Sequence, residues 1–202
     1  MAELIIGFIG ILIGSFITGY KDIWLNLKNN KSSSEHLAIE LICLFDSFCQ
    51  NCTDVAFDDG TYHGQPNKDG YCEVQAPLPE FKLPDKNIDW KLLPVQLMYQ
   101  VLSFPNSIEY ANKYIDSAFE HADPPEYDHG FEERQYQYSM LGLKAAKISS
   151  ELRAMCKLPD IEYGNWNPID SLNRARESVE NIRSERDKKN QKLFDELKQI
   201  KQ

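Results

Sequence analysis

Four side chains with zinc-binding chemistry lie close together in the first half of the chain. Cys49 and Cys52 form a C-x-x-C pair, and His63 and Cys72 follow them. Thiolate and imidazole are the usual ligands of tetrahedral zinc, so this set is a candidate metal site. The cysteine pair also lies in a helical stripe of apolar residues, where cysteine behaves as a small hydrophobic side chain. Core packing is the favoured interpretation, zinc is the alternative, and no cofactor is expected.

A second polar group surrounds the dipeptide Pro124-Pro125. Histidine and carboxylate side chains in this number could bind a metal or act as a general acid and base. The stretch nevertheless spans the end of one predicted helix, a turn and the start of the next, where such residues serve as caps and surface ion pairs. The candidate polar site within it consists of His129, Glu132, Glu133, Arg134 and Tyr138.

A third polar group consists of aspartates near glycine-containing turns: Asp54, Asp58, Asp59 and Asp69. Their spacing does not match the EF-hand, so they are interpreted as solvated turn residues. The sequence also lacks the P-loop, the dinucleotide-binding glycine pattern, the nucleophile elbow and the helical zinc motif. No catalytic residue is assigned, and a non-enzymatic protein is favoured.

The overall charge restricts the partners. The 202 residues carry 22 Lys and Arg against 31 Asp and Glu, a formal net charge of -9. Binding to nucleic acid depends largely on cations that neutralise phosphates, so a nucleic-acid partner is not expected. Five is a small and odd number of cysteines, unlike the large even sets that form the disulfides of small secreted domains.

The N-terminus carries the strongest signal in the sequence. Leu4 to Tyr20 are seventeen residues without a charge, which is just long enough for a bilayer-spanning helix. A basic start and an Ala-x-Ala-like cleavage site are missing, so the segment is interpreted as an uncleaved anchor. Because Lys21, Lys28 and Lys31 follow the segment, the body is expected in the cytoplasm.

Small residues interrupt the apolar segment. Small-xxx-small pairs let membrane helices approach closely, which would allow homo-oligomers to form. Glycine is also common in membrane helices for other reasons. The residues predicted to pack in this way are Gly7, Gly10, Gly14, Ser15 and Gly19.

The rest of the chain reads as all-α, with a bundle of four to five helices. Apolar periodicity predicts helices at 34–56, 89–104, 106–122, 131–156 and 169–200, the first of them continuous with the membrane helix if residues 21–31 are helical. A long irregular loop, about 58–89, separates the first two. The expected organisation is an anchor and juxtamembrane segment at 1–31, a helical body at 32–168, and a charged C-terminal helix at 169–202.

Two stretches carry a resemblance. These are DWKLLPVQLMYQVLSFPNSIEYANKYI and DPPEYDHGFEERQYQYSMLGLKAAKISSELR. They resemble a family of uncharacterised bacterial single-pass membrane proteins with a helical cytoplasmic domain, over about residues 37–168. The resemblance implies a bacterial inner-membrane protein and no particular activity.

Three functions remain as hypotheses. The first is a membrane-tethered, non-catalytic interaction or scaffolding protein whose C-terminal helix binds a protein partner. The second is an oligomeric pore-forming or membrane-perturbing effector, although the segment lacks polar residues to face a lumen. The third is a metal-dependent enzyme that uses the cysteine region.

Overall fold

The computed structural model describes the backbone of residues 2–84 and 88–200 and the side chains of residues 28–84 and 88–198. Within these ranges the chain forms four α-helices, one short 3-10 helix and no β-strand. The elements are α1 (Ala2–Ala56), the 3-10 helix (Trp90–Leu92), α2 (Val95–Glu120), α3 (Asp128–Cys156) and α4 (Pro168–Ile200). The prediction of an all-α bundle is confirmed for this part of the chain.

Helix α1 is continuous over 55 residues. No proline or glycine lies between positions 21 and 36, so nothing in that sequence interrupts the helix. The side chains from Lys28 to Ser33 are exposed, and among the side chains that the structure describes Leu37 is the first buried one. Residues 28–31 therefore extend beyond the body, whereas Ser32 and Ser33 border its end beside Ile88 and Leu92.

The predicted membrane segment, Leu4 to Tyr20, lies outside the residues whose side chains are described. The same holds for the predicted contact residues Gly7, Gly10, Gly14, Ser15 and Gly19. Among the residues that the structure does describe, no helix is long and apolar enough to span a membrane.

Helix α2 corrects the prediction of two helices at 89–104 and 106–122. It begins after Pro94 and continues through Pro105 to Glu120 as one helix. Pro105 cannot donate a backbone hydrogen bond and would be expected to end the helix. Buried residues on both sides of it, from Leu97 to Ala118, share one core-facing stripe, and this tertiary contact maintains the helix.

Helix α3 lies at the centre of the body and contacts α1, α2 and α4. All three run antiparallel to it. Asp46 of α1 contacts Arg153 near the end of α3, whereas Asp58, just after α1, contacts Arg134 near its start. Gln100 and Asn112 of α2 contact Glu151 and Tyr138, which is the same reversed order along α3. In α4, Leu172 lies beside Gly142 and Arg183 contacts Glu133, again in reversed order.

This arrangement separates the two ends of the body. Because α1 and α4 are both antiparallel to α3, they run in the same direction. The N-terminal part of α1 therefore leaves the body at one end, and the C-terminal part of α4 leaves at the other. After Arg186, every described side chain of α4 is exposed.

The irregular loop predicted at 58–89 packs over the helices. Phe81 from this loop joins Phe45 and Phe48 of α1 and Phe104 of α2, with ring centroids 4.8 to 5.4 Å apart. Such edge-on and tilted aromatic contacts stabilise a core beyond the area they bury. The loop is thus part of the core, although its only β-like feature in the described residues is an isolated bridge between Tyr62 and Gln65.

Candidate functional site

The most buried polar contact of the body joins the loop to α3. Arg134 Nη1 donates to Asp58 Oδ2 at 2.7 Å, and both side chains are 2% exposed. Arg134 also donates to the carbonyl oxygen of Ala76. The side-chain amide of Gln135 donates to the carbonyl oxygen of Asp58 at 3.1 Å. Arg134, predicted as part of a polar site, therefore holds both ends of the loop segment 58–76.

Asp58 accepts three further hydrogen bonds, from the backbone N–H groups of Gly60, Gln75 and Ala76, at 2.8 to 2.9 Å. Burial alone would raise the pKa of the Asp58 carboxyl. The hydrogen bonds to its charged form and the positive charge of Arg134 outweigh burial and lower this pKa. The interpretation of Asp58 as a solvated turn residue is therefore wrong, because its side chain is buried.

Gly60 lets the chain turn closely at this point. Its φ of +80° is in the left-handed region, and a Cβ atom would lie 2.3 Å from the ring of Phe131. Glycine alone avoids both problems. The backbone turn and the buried carboxylate are therefore built by the same three residues, Asp58, Asp59 and Gly60.

The two glutamates of the predicted polar site connect α3 to α4. Glu133 Oε2 accepts a hydrogen bond from Arg183 at 2.6 Å, and Glu132 Oε1 accepts one from Arg186. The guanidinium of Arg183 also lies 4.8 Å from the ring centroid of Tyr136. These half-buried pairs attach α4 to the body up to Arg186.

The last two members of the predicted site have different surroundings. The hydroxyl of Tyr138 donates to Asn112 Oδ1 of α2 at 2.9 Å, and burial raises the pKa of this phenol to about 12. His129 is exposed and lines an open polar cleft near the Pro124-Pro125 turn. The structure thus distributes the predicted polar site over contacts to the loop, α2 and α4, and does not converge it on one point.

The cleft near Pro124-Pro125 has a volume of about 460 Å³. Four of its eight lining residues are acidic, and it includes two residues of the predicted site, the exposed His129 and the buried Glu132. The lining residues are His121, Ala122, Asp123, Glu126, Asp128, His129, Glu132 and Arg186.

The four candidate zinc ligands are not brought together. Cys49 and Cys52 are buried in the core, His63 is exposed on the loop, and Cys72 is half-buried. Burial, with a smaller effect of the charge on Asp46, raises the pKa of Cys49 to about 12. Burial and the neighbouring Cys49 likewise raise the pKa of Cys52. In the part of the chain that the structure describes, no three such side chains form a group that could hold a metal ion.

Sequence reasoning did not identify a second polar cluster between α1 and α3. Arg153 donates hydrogen bonds to both carboxylate oxygens of Asp46 and to the hydroxyl of Ser149, which itself donates to Asp46. The local sequence shows only that Ser149 and Arg153 are four residues apart. The partner, Asp46, lies more than a hundred residues away along the chain, so no local signal could reveal it.

Comparison of the chain with protein-family models, curated proteins and solved structures finds no match.

Proposed function

We propose that the protein is a membrane-tethered, non-catalytic interaction protein that carries its helical body between an N-terminal anchor and a C-terminal binding helix. The observation that supports this proposal most is the opposite placement of the two projecting helices. The chain enters the body through α1 at one end, and α4 leaves it at the other. An anchor on α1 would direct the end of α4 away from the bilayer.

The projecting part of α4, residues 187–200, has the properties of an unsatisfied binding helix. We call this segment the tail. Leu193, Phe194 and Leu197 are 56%, 63% and 48% exposed, and Leu193 and Leu197 share a face because they are four residues apart. Fourteen residues of helix extend about 21 Å. Such a face gains free energy only when a partner, or a second copy, covers it.

The polar groups of the body support a non-catalytic function. The ion pairs from Arg134, Arg153 and Arg183 each connect different elements of the fold, as expected of groups that stabilise tertiary structure. The sequence resemblance to bacterial single-pass membrane proteins agrees with a tethered body in the cytoplasm, next to the inner membrane, and it stays a prediction.

Ending the chain after Asp187 tests the proposal. Arg186 and its pair with Glu132 are retained, so the melting temperature of the detergent-solubilised body should stay nearly unchanged. The amount of any protein that co-purifies with the full chain, or the fraction of the chain in oligomers, should fall. The double substitution Leu193→Ala with Leu197→Ala should have the same effect, while Gln191→Ala with Lys198→Ala, both exposed, serves as the matched control.

Two results would contradict the proposal. A shortened body that melts without cooperativity would show that the tail contributes to the core. Unchanged co-purification would show that the tail does not bind partners, and association through Gly10 and Gly14 would then be the alternative.

A further inference from the structure

A groove crosses the body on the face of α3 that is turned away from α1. Helices α2 and α4 both pack against α3 but do not contact each other, so the outer surface of α3 between them is open. The groove has a volume of about 440 Å³. Its floor consists of Met140, which is 41% exposed, and the half-buried Leu143. Ser107 of α2 and Arg176 of α4 form its walls.

The charge of the groove is opposite to that of the rest of the body. Its lining contains the cations Lys144, Lys147 and Arg176 and no carboxylate, although residues 1–202 carry a net charge of -9. Neither lysine forms an ion pair among the described residues: Lys144 donates to the hydroxyl of Ser107 at 2.8 Å. The two lysine charges are therefore not neutralised by a neighbouring carboxylate, whereas Arg176 forms ion pairs with Glu177 and Glu180 of its own helix at 4.0 and 3.7 Å.

Arg176 is only partly satisfied. Its Nε atom is buried and donates no hydrogen bond, and the nearest carboxylate, Glu180 on its own helix, lies 3.7 Å away. A buried guanidinium nitrogen without an acceptor is unfavourable. Because the Nε atom is buried, the exposed cations that a partner in the groove can reach are Lys144 and Lys147.

Two exposed tyrosines of α2 lie at helical spacing from Ser107. Tyr114 lies seven residues after Ser107 and therefore on the same face of α2, and Tyr110 lies beside it. Both tyrosines are 63% exposed. Tyrosine is enriched at protein interfaces because it combines apolar area with a hydrogen-bonding group.

We propose that this groove binds an amphipathic helix of a partner protein, with apolar residues over Met140 and Leu143 and acidic residues beside Lys144 and Lys147. From Gln137 to Lys147 the floor is about 15 Å long, which matches three helical turns. The inference rests on the proposed interaction function and adds to it a docking surface, separate from the tail, and the chemistry of the partner.

A designed peptide provides the probe. It is an 18-residue helix with leucine on one face and glutamate on both flanks, labelled for fluorescence anisotropy and titrated with the full chain in detergent. The same peptide with lysine in place of glutamate is the control. The acidic peptide should bind at least tenfold more tightly, and added salt should weaken its binding.

Substitutions locate the binding. Lys144→Glu with Lys147→Glu should weaken binding of the acidic peptide at least tenfold, and Met140→Glu should also weaken it. Lys68→Glu with Lys91→Glu, at exposed positions outside the groove and the tail, changes the net charge equally and should leave binding unchanged. Retention of the wild-type melting temperature establishes that the groove variants are folded.

Several results would overturn the groove proposal. These are no binding of the acidic peptide, equal binding of the two peptides, or equal loss in the groove variants and the Lys68/Lys91 control. Self-association that Met140→Glu abolishes would assign the groove to a second copy instead. None of these results depends on the tail truncation, so failure of the groove proposal and failure of the proposed interaction function are distinguishable.

Discussion

At the scale of single residues, the body is held together by charged groups that lie far apart in sequence. Asp58 and Arg134 are nearly inaccessible to water, and Asp58 accepts hydrogen bonds from three backbone N–H groups as well as from Arg134. A buried pair of this kind contributes little relative to apolar residues of similar shape, but removal of one partner leaves an uncompensated charge. The pair therefore makes the loop conformation sensitive to either residue.

Replacement of Arg134 by methionine tests this sensitivity. The substitution should lower the free energy of unfolding by about 3 to 5 kcal/mol, because it leaves the Asp58 carboxylate buried without its cation. It should also make the segment between Asp58 and Ala76 susceptible to limited proteolysis. Chemical denaturation of the detergent-solubilised chain measures the first effect. Arg174→Met, at an exposed position of α4, is the control and should change stability by less than about 0.5 kcal/mol. Equal stability of the two variants would contradict the prediction.

Low pH should weaken the same contact. The pKa of Asp58 is lowered in the folded protein, so its contribution to stability is fully present above the unfolded value, about 4. The contribution is lost as the pH falls through the lower folded value. Between pH 5 and pH 3, stability should fall more steeply for the wild type than for Asp58→Asn, as followed by denaturant midpoints. Parallel curves would show that Asp58 titrates normally.

The cysteines allow a test of the core interpretation. A thiol with a pKa near 12, as for Cys49, has roughly a thousandth of the thiolate of an ordinary cysteine at pH 8. Iodoacetamide should therefore modify the exposed Cys43 long before Cys49 and Cys52, as followed by mass spectrometry. In urea the three should react alike. Rapid native modification of Cys49 would mean that α1 is not packed as described.

At the scale of elements, close helix contact determines where large side chains are tolerated. Gly142 of α3 lies where α1 and α4 both approach. A Cβ atom there would be 2.7 Å from Leu172 Cδ1 and 2.9 Å from Cys52 Cβ. Because the second atom belongs to a helix wall, the overlap cannot be relieved by one flexible side chain alone.

Gly142→Ala should therefore be destabilising, although alanine favours helices over glycine. The overlap should outweigh the gain in helix propensity and leave a net loss of about 1 to 2 kcal/mol. Gly164→Ala is the control, since no atom lies within 4 Å of its Cβ position. Thermal melting of the two variants measures the difference. A more stable Gly142→Ala protein would show that α1 and α4 can move apart at no cost.

At the scale of the whole molecule, the two projecting helices define a long axis for the body, with one helix at each end. The N-terminal part of α1 and the tail leave from opposite ends because both helices run antiparallel to α3. The open groove lies between these ends, on the side away from α1. An anchor, a groove and a tail would thus be available to different partners at the same time.

Membrane association is the corresponding prediction. The full chain should remain in the membrane pellet after alkaline carbonate extraction, whereas a chain that begins at Ser32 should be released. The shortened chain should still fold because it keeps every buried residue of the described part of the chain, the first of which is Leu37. In intact cells, an impermeant thiol reagent should not reach the exposed Cys43 if the body is cytoplasmic. Recovery of the full chain in the soluble fraction would contradict the anchor.

The sequence by itself determined the helical class and most helix positions, because apolar periodicity reflects the local geometry of the backbone. It missed the continuity of α2 through Pro105, since a buried stripe on both sides, a tertiary effect, outweighs the local effect of proline. It also grouped residues His129 to Tyr138 by proximity along the chain.

Only the tertiary structure decided what those residues contact. Arg134 contacts Asp58, 76 residues away. Glu132 contacts an arginine 54 residues later, and Glu133 contacts one 50 residues later. Successive residues of a helix point in different directions, so neighbours in sequence reach different partners. The groove likewise exists only because α2 and α4 pack on α3 without meeting, and no local pattern encodes that separation.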